Sequence, residues 1–178
     1  MLTIFIADTS ITELPVAEDL VGIAEEAASS VKSLGFTPRV AFVSYSTFGN
    51  PYGERMEKVR EAVAMLDARD DIDFEYEGDI SVDVAMNPGH KLMYPFSRLT
   101  DSANVLVMPA IHAASISTKL LESMSRATVI GPMLLLDASR PLAFALTFAF
   151  HLTNHAVWSL GEFPTVMLAT NLAFSAAT

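Results

Sequence analysis

The sequence contains no cysteine, a single tryptophan and no cluster of basic residues. Without thiols there is no disulfide, no thiolate nucleophile and no cysteine-ligated zinc site. Only 11 lysines and arginines stand against 21 aspartates and glutamates, a formal net charge of −10. With those bases scattered, the phosphate neutralisation that nucleic-acid binding needs is missing, so nucleic acid is excluded as a partner. Long hydrophobic runs are also lacking. The longest charge-free apolar stretch, residues 141–150, is about ten residues against the roughly 20 that span a bilayer. Asp137 and Arg140 precede it, and His151 and Asn154 end it. The first residues, Met1-Leu2-Thr3-Ile4-Phe5-Ile6-Ala7-Asp8, have no basic region and no small-residue cleavage site, so they read as a strand and not a leader. The expected location is the cytoplasm, with no membrane partner.

What the sequence has in quantity is apolar residues. They make up 51% of 178 positions, with a mean hydropathy of +0.37. That excess predicts surface buried against other lobes or subunits, as in a homo-oligomer.

Strands and helices alternate along the chain, which predicts an α/β fold with a mostly parallel sheet flanked by helices in three layers. Residues 2–7 form an apolar strand, and Pro15 suits the first turn of a helix running to about Leu34. On that helix Leu20, Ile23, Ala24, Ala27, Val31 and Leu34 fall on one stripe, and Gly35 is placed as a left-handed cap. A buried strand follows through Val43. A second helix over about 54–68 turns Met56, Val59, Val63 and Leu66 inward. Residues 72–76 alternate apolar Ile72, Phe74 and Tyr76 with Asp73 and Glu75, predicting a half-exposed edge strand that Gly78-Asp79 breaks. Then come a short helix over 82–86, a turn at Asn87-Pro88-Gly89 and a buried strand over 105–108 stopped by Pro109. A helix over 111–124 and a fourth buried strand over 127–130 ending at Gly131-Pro132 complete the series.

The most informative stretch is Val40 to Asn50, a buried strand running into Ser44, Tyr45, Ser46, Thr47, Phe48, Gly49 and Asn50. Hydroxyls, a glycine and an amide at a strand's carboxyl end suit an anionic or carbonyl oxygen, because backbone N–H groups gather there. No lysine, arginine or histidine lies in the loop, so it offers hydrogen bonds without a full positive charge. Its alternative role is an ordinary strand-to-helix loop capped by its own hydroxyls.

Taken together these blocks resemble the phosphotransacetylase-type (phosphate acetyl/butyryl transferase) family, and most closely the version carried by bacterial NADP-dependent malic enzymes. The resemblance runs through Phe5-Ile6-Ala7-Asp8-Thr9, Val40 to Asn50, Lys58-Val59-Arg60-Glu61-Ala62 and Phe74-Glu75-Tyr76-Glu77-Gly78-Asp79. It continues through Asp83-Val84-Ala85, Ala103 to Pro109, Ser115 to Leu120 and Ile130-Gly131-Pro132. It implies the second lobe of a two-lobed acyltransferase-like domain over residues 1–135, with acetyl-CoA and phosphate in the cleft between the lobes. An apolar tail, residues 136–178, matches the family poorly. The missing N-terminal lobe and a malic-enzyme domain, holding NADP and a divalent metal and converting malate to pyruvate, would belong to a longer parent.

The same resemblance implies that Ser44, Ser46, Thr47, Gly49, Asn50, Lys119, Gly131 and Pro132 line the acetyl-CoA/phosphate cleft. Active phosphotransacetylases carry a lysine where this chain has Phe48, whereas malic-enzyme versions carry an aromatic. Active members also have a Ser-Arg-Gly segment after the Gly-Pro strand; here Ser139-Arg140 comes too early and runs into Pro141. These departures imply an acetyl-CoA-responsive regulatory and oligomerising module with no catalytic residue. The alternatives are an active phosphate acetyltransferase using Arg140, and a free-standing α/β ligand-binding protein.

Other candidates are weaker. Lys119, one helical turn after Ser115 and Ile116, is either a solvated lysine or a phosphate contact. Asn104 and Asp83 are expected to cap or brace the cleft. His151 and His155 share a helical face but lack a third ligand, and Asp70, Asp71 and Asp73 lack the spacing of a calcium loop, so no metal site is expected. His90 and His112 have no evident catalytic partner.

Overall fold

The computed structural model describes residues 3–8 and 11–125, which fall in the unit Met1–Pro132. Four strands, β1 (Phe5–Ala7), β2 (Arg39–Val43), β3 (Glu75–Ile80) and β4 (Val105–Val107), form one sheet in the order β1-β4-β2-β3, with every pair parallel. The helices are α1 (Ala17–Ser33), α2 (Glu57–Asp67, entered by a 3-10 turn over Glu54–Met56), α3 (Val82–Ala85), α4 (His90–Met93) and α5 (Ile111–Met124).

β2 is buried from Val40 to Val43 and paired on both sides, as its unbroken apolar run requires. Alternate residues of β2 and β4 serve opposite faces. Val40, Phe42, Val105 and Val107 pack with Leu20, Ala24 and Val31 of α1 and Val59, Val63 and Leu66 of α2. Ala41, Val43 and Leu106 pack with Val84 and Ala85 of α3, with Ala114 of α5, and with Leu99 from the connection before β4. Helices therefore cover both faces, the three-layer arrangement that the strand–helix alternation predicts.

Several boundaries move. On α1 the stripe is rotated: Ala17, Val21 and Ala28 are buried with Leu20, Ala24 and Val31, Ile23 and Ala27 are partly buried, and Leu34 is 43% exposed just past the helix end. Gly35 is left-handed at φ +84°, as its placement as a cap requires. The third strand is not over 72–76 but over Glu75–Ile80, at one end of the described sheet. Ile72 and Phe74 pack on the α1/α2 core from the connection before it, so their alternation imitates a strand.

Gly78 does not break β3. It stands opposite Phe42, and a Cβ on it would lie 2.7 Å from Phe42 Cβ and 3.1 Å from Phe42 O, so glycine is what lets β3 approach β2. Asp79 is the residue that the register skips between the Phe42–Gly78 and Val43–Ile80 pairs. The pair is thus a bulge inside the strand. α4 has no counterpart in the sequence expectation. The strand expected over 127–130 lies outside the described residues, as does the 136–178 segment.

Candidate functional site

After β1 and β2 the chain crosses to the face covered by α1 and α2, whereas after β3 and β4 it crosses to the face carrying α3 and α5. Adjacent strands thus send their connections to opposite faces at every gap of the sheet. Open α/β folds place ligands in the crevices that such reversals leave beyond the strands' carboxyl ends. The Ser44–Asn50 stretch follows β2 at that end.

Its geometry is that of a small hairpin. Thr47 and Asn50 exchange both backbone hydrogen bonds, at 3.0 and 3.1 Å, around Phe48 at φ +50° and Gly49 at φ +86°. Two positive φ values are the signature of a type I′ turn, which glycine adopts freely and phenylalanine does at a cost of about 1 kcal/mol or more. The turn is held from β3. Phe48 N–H donates to Asp79 O at 2.7 Å, and Gly49 N–H reaches the Asp79 carboxylate at 3.2 Å. Thr47 Oγ1 donates to Ser81 Oγ at 2.9 Å and accepts from Ser81 N–H at 3.0 Å. Ser44 N–H donates to Ile80 O, and Ser46 N–H to Ser44 Oγ.

The backbone donors of Ser44, Ser46, Thr47, Phe48, Gly49 and Asn50 are all committed inside the protein. Apart from Tyr45, the loop is therefore not an open cradle of N–H groups, and the Ser44 and Thr47 hydroxyls are bonded within the protein as well. Ser46 is fully buried, and its Oγ has no partner among the described residues. The Phe48 ring turns to the other side, 5.1 Å from Tyr94 and 4.8 Å from Phe96, and packs on the α3-side core.

Asp79 organises the surroundings from a position only 1% exposed. Besides Gly49 it accepts from Arg60 Nε at 3.3 Å, and Arg60 Nη1 donates to Glu57 at 2.9 Å. The Asp79 bond, followed by burial acting the other way, leaves the Arg60 proton held more tightly than usual. Glu77 and Glu75, two and four residues earlier on the same strand, hold the segment that leads toward β4. Glu77 accepts from Arg98 N–H at 2.8 Å, and Glu75 from Thr100 N–H at 2.8 Å. Sequence reasoning missed Arg60, Glu77 and Asp79 as a group. The available signal was acids at every second position of 75–79, too regular for a loop.

The remaining expected residues scatter. Lys119 is exposed on α5 with no ion pair among the described residues. Gly131, Pro132, Arg140, His151 and His155 lie outside the described residues. Asn104 braces, but at the other end of the sheet: its Oδ1 accepts from Arg39 N–H at 2.8 Å and its Nδ2 donates to Thr37 O at 2.9 Å, which ties the start of β4 to the start of β2. Asp83 sits in the first turn of α3, where the Ser81 hydroxyl lowers its pKa. His90 is buried with Nδ1 on Asn87 O at 2.9 Å, and His112 is exposed. Asp71 is paired with Arg69, and Asp73 with Lys32. An open groove of about 730 Å³, lined by Lys32, Phe36, Pro38, Ile72, Asp73 and Phe74, lies by the residues that lead into β2 and β3, away from the hairpin.

With the hairpin, its aromatic anchor and its acidic strand in place, the comparison with known proteins is direct. The family profile described as "Phosphate acetyl/butaryl transferase" matches residues 2–142. The chain belongs to that family. It is 55% identical over 142 residues to the NADP-dependent malic enzyme of Rhizobium meliloti, covering 79% of this chain and 18% of that protein. It is 39% identical over 128 residues to the phosphate acetyltransferase of Buchnera aphidicola, covering 71% of this chain and again 18% of the relative. Among solved structures, the EutD phosphotransacetylase from Staphylococcus aureus superimposes with a TM-score of 0.66 at 30% identity, over 71% of this chain and 40% of that one. The chain spans less than a fifth of the length of these curated relatives.

Proposed function

We propose that this chain is the second, phosphotransacetylase-like lobe of an NADP-dependent malic enzyme, and that it senses acetyl-CoA and helps the parent oligomerise instead of transferring acetyl groups. The observation that carries this reading is the hairpin. Acyl and phosphoryl transfer need preorganised positive groups at the developing charge. Here all but one of the loop's backbone donors are used up, the nearby guanidinium of Arg60 is charge-paired with Asp79 and Glu57 with only its Nη2 left without a partner among the described residues, and the place of a loop lysine is taken by Phe48 in an aromatic cluster. The names of the malic-enzyme relatives support the parentage.

In this reading Ser44, Ser46, Thr47, Gly49 and Asn50 form one wall of the acetyl-CoA cleft, with Lys119, Gly131 and Pro132 contributing beyond it. The missing N-terminal lobe supplies the opposite wall. The upstream malic-enzyme part binds malate, NADP and a divalent metal and releases pyruvate and carbon dioxide. Ile116, Leu120 and Met124 recur every fourth residue along α5 and are 57%, 52% and 82% exposed, a face suited to the partner lobe or a second subunit. The setting is cytoplasmic; no described helix is long and apolar enough to cross a membrane.

The test is the parent polypeptide assayed twice. Acetyl-CoA should change the rate of malate-dependent NADP reduction, and no acetyl phosphate should form from acetyl-CoA and phosphate. Steady acetyl phosphate production would establish the second reading, an active phosphate acetyltransferase, which the relatives of that name favour. A malic activity indifferent to acetyl-CoA would remove the sensing role.

A further inference from the structure

Helices α1 and α5 begin in a similar way. Their N-cap residues are Val16 and Ala110, and neither contributes a side-chain cap hydrogen bond; at α1 the Asp19 carboxylate accepts Val16 N–H at 3.0 Å. Serine, threonine, aspartate or asparagine normally fixes a helix entry of this kind. Here the residue just before each cap is a proline, Pro15 or Pro109, and its carbonyl points to one group. Lys58 Nζ donates to Pro15 O at 3.0 Å and to Pro109 O at 2.8 Å.

Lys58 is the second residue of α2, the helix that follows β2. Pro15 lies in the connection after β1 and Pro109 in the connection after β4, 43 and 51 residues away in sequence. One ammonium therefore joins the three connections that leave the adjacent strands β1, β4 and β2 at their carboxyl ends. Both acceptors are backbone carbonyls that lie outside the helical ladders, so each would otherwise need water. The lysine is partly buried, and burial lowers its pKa below the ordinary lysine value.

We propose that Lys58 is a positioning residue: its ammonium fixes the starts of α1 and α5 against α2, and so sets the spacing of the crevice walls at the carboxyl edge of the sheet. The tether stands independently of the acetyl-CoA reading, and rests on that reading only for its effect on acetyl-CoA affinity.

Backbone amide hydrogen exchange by NMR on the 178-residue chain tests it. In Lys58→Met, which keeps the aliphatic stem, exchange at Leu20 and Ala114, whose N–H groups close the first helical turns on Val16 O and Ala110 O, should rise about tenfold, the scale of one charge-assisted hydrogen bond. The β2 amides Ala41, Phe42 and Val43 should stay as in the wild type. Lys58→Arg should recover most of the protection, since a guanidinium can serve two carbonyls. Unchanged exchange at both helix starts in Lys58→Met overturns the proposal. So does an equal rise throughout β2, or an arginine variant as impaired as the methionine one. If Lys58→Met does not fold, Lys58→Gln, which retains one donor group, carries the same comparison. The acetyl-CoA response is read separately, on the parent polypeptide. Lys58-dependent protection with a malic activity indifferent to acetyl-CoA would remove the sensing reading and leave the tether standing. A malic activity that answers to acetyl-CoA with Lys58-independent protection would do the reverse.

Discussion

Replacing Asp79 tests the central claim about the hairpin, that it is held by β3 and not by its own turn. Asp79 is 1% exposed and accepts Gly49 N–H at 3.2 Å and Arg60 Nε at 3.3 Å. Asp79→Ala leaves both donors without an acceptor in a dry place. Breaking a buried ion pair from one side typically costs about 3–5 kcal/mol. Two features reduce that here: Arg60 is 26% exposed and keeps Glu57, so it can turn toward water, and both bonds are long. Charge-assisted bonds of this quality are worth about 1.5–3 kcal/mol, so Asp79→Ala should cost about 2–3 kcal/mol. Asp79→Asn keeps an acceptor for Gly49 and loses the charge facing Arg60, and should cost about half as much. Urea unfolding followed by circular dichroism gives the totals, and an Asp79→Asn/Arg60→Met double-mutant cycle isolates the coupling, expected at about 1 kcal/mol. Amide exchange at Phe48 and Gly49 should rise before that of β2. A loss below about 0.5 kcal/mol in both single variants, the scale of a neutral surface change, would refute the reasoning, as would a Gly49 amide that stays protected.

Gly78→Ala should destabilise by about 2 kcal/mol or more, measured by urea unfolding, because its new methyl meets the Cβ and the fixed backbone oxygen of Phe42 and β2 is packed on both faces. The acid limb of stability should carry a contribution from Asp71 and Asp73, whose carboxyls are held below their ordinary value of 3.8 mainly by Arg69 and Lys32. Depressed folded pKa values give stability that is full above the ordinary carboxylate range and is lost as pH falls through the folded values. Unfolding midpoints taken from pH 6 down to 3 should therefore fall less steeply in Lys32→Met and Arg69→Met than in the wild type, and the difference should shrink in strong salt because both carboxylates are exposed.

The α/β class and its layers were legible because they follow from strand–helix alternation and periodicity, whereas the strand order came only from the structure. The unbroken run 40–43 could only be an inner strand, and the stripes on α1 and α2 could only face a sheet. The boundaries that failed did so where two patterns share one signature. Ile72, Phe74 and Tyr76 alternate as a strand would, yet only Tyr76 is in β3, because packing on α1 and α2 asks the same residues to turn inward from a loop. Gly78-Asp79 looks like punctuation, since a glycine demanded by a close neighbour and one demanded by a turn are identical in one dimension. Asn104 reads as a cleft residue until β4 is seen to begin, not end, beside it. The tethers at Lys58 and Asp79 were out of reach for a different reason. Each joins segments between 19 and 51 residues apart, and nothing local in the sequence announces the partner.

These tethers also bear on how a ligand could be sensed. The hairpin is fixed by Asp79, Ser81 and an aromatic cluster, the residues entering α1 and α5 are bonded by Lys58, and segment 98–100 by Glu75 and Glu77. A wall satisfied in this way presents one arrangement, and a ligand shifts an equilibrium only between states that it binds differently. A lobe of this kind gains little from closing on itself. On the proposed sensing reading the second state is then a difference in how the lobe meets its neighbour, and the exposed stripe Ile116, Leu120 and Met124 runs along α5, the helix preceded by the Pro109 carbonyl that Lys58 bonds. Acetyl-CoA in the crevice would be read by that helix as a rigid body. On this argument, polar substitutions along the stripe should weaken the parent's response to acetyl-CoA while leaving the hairpin's amide protection untouched.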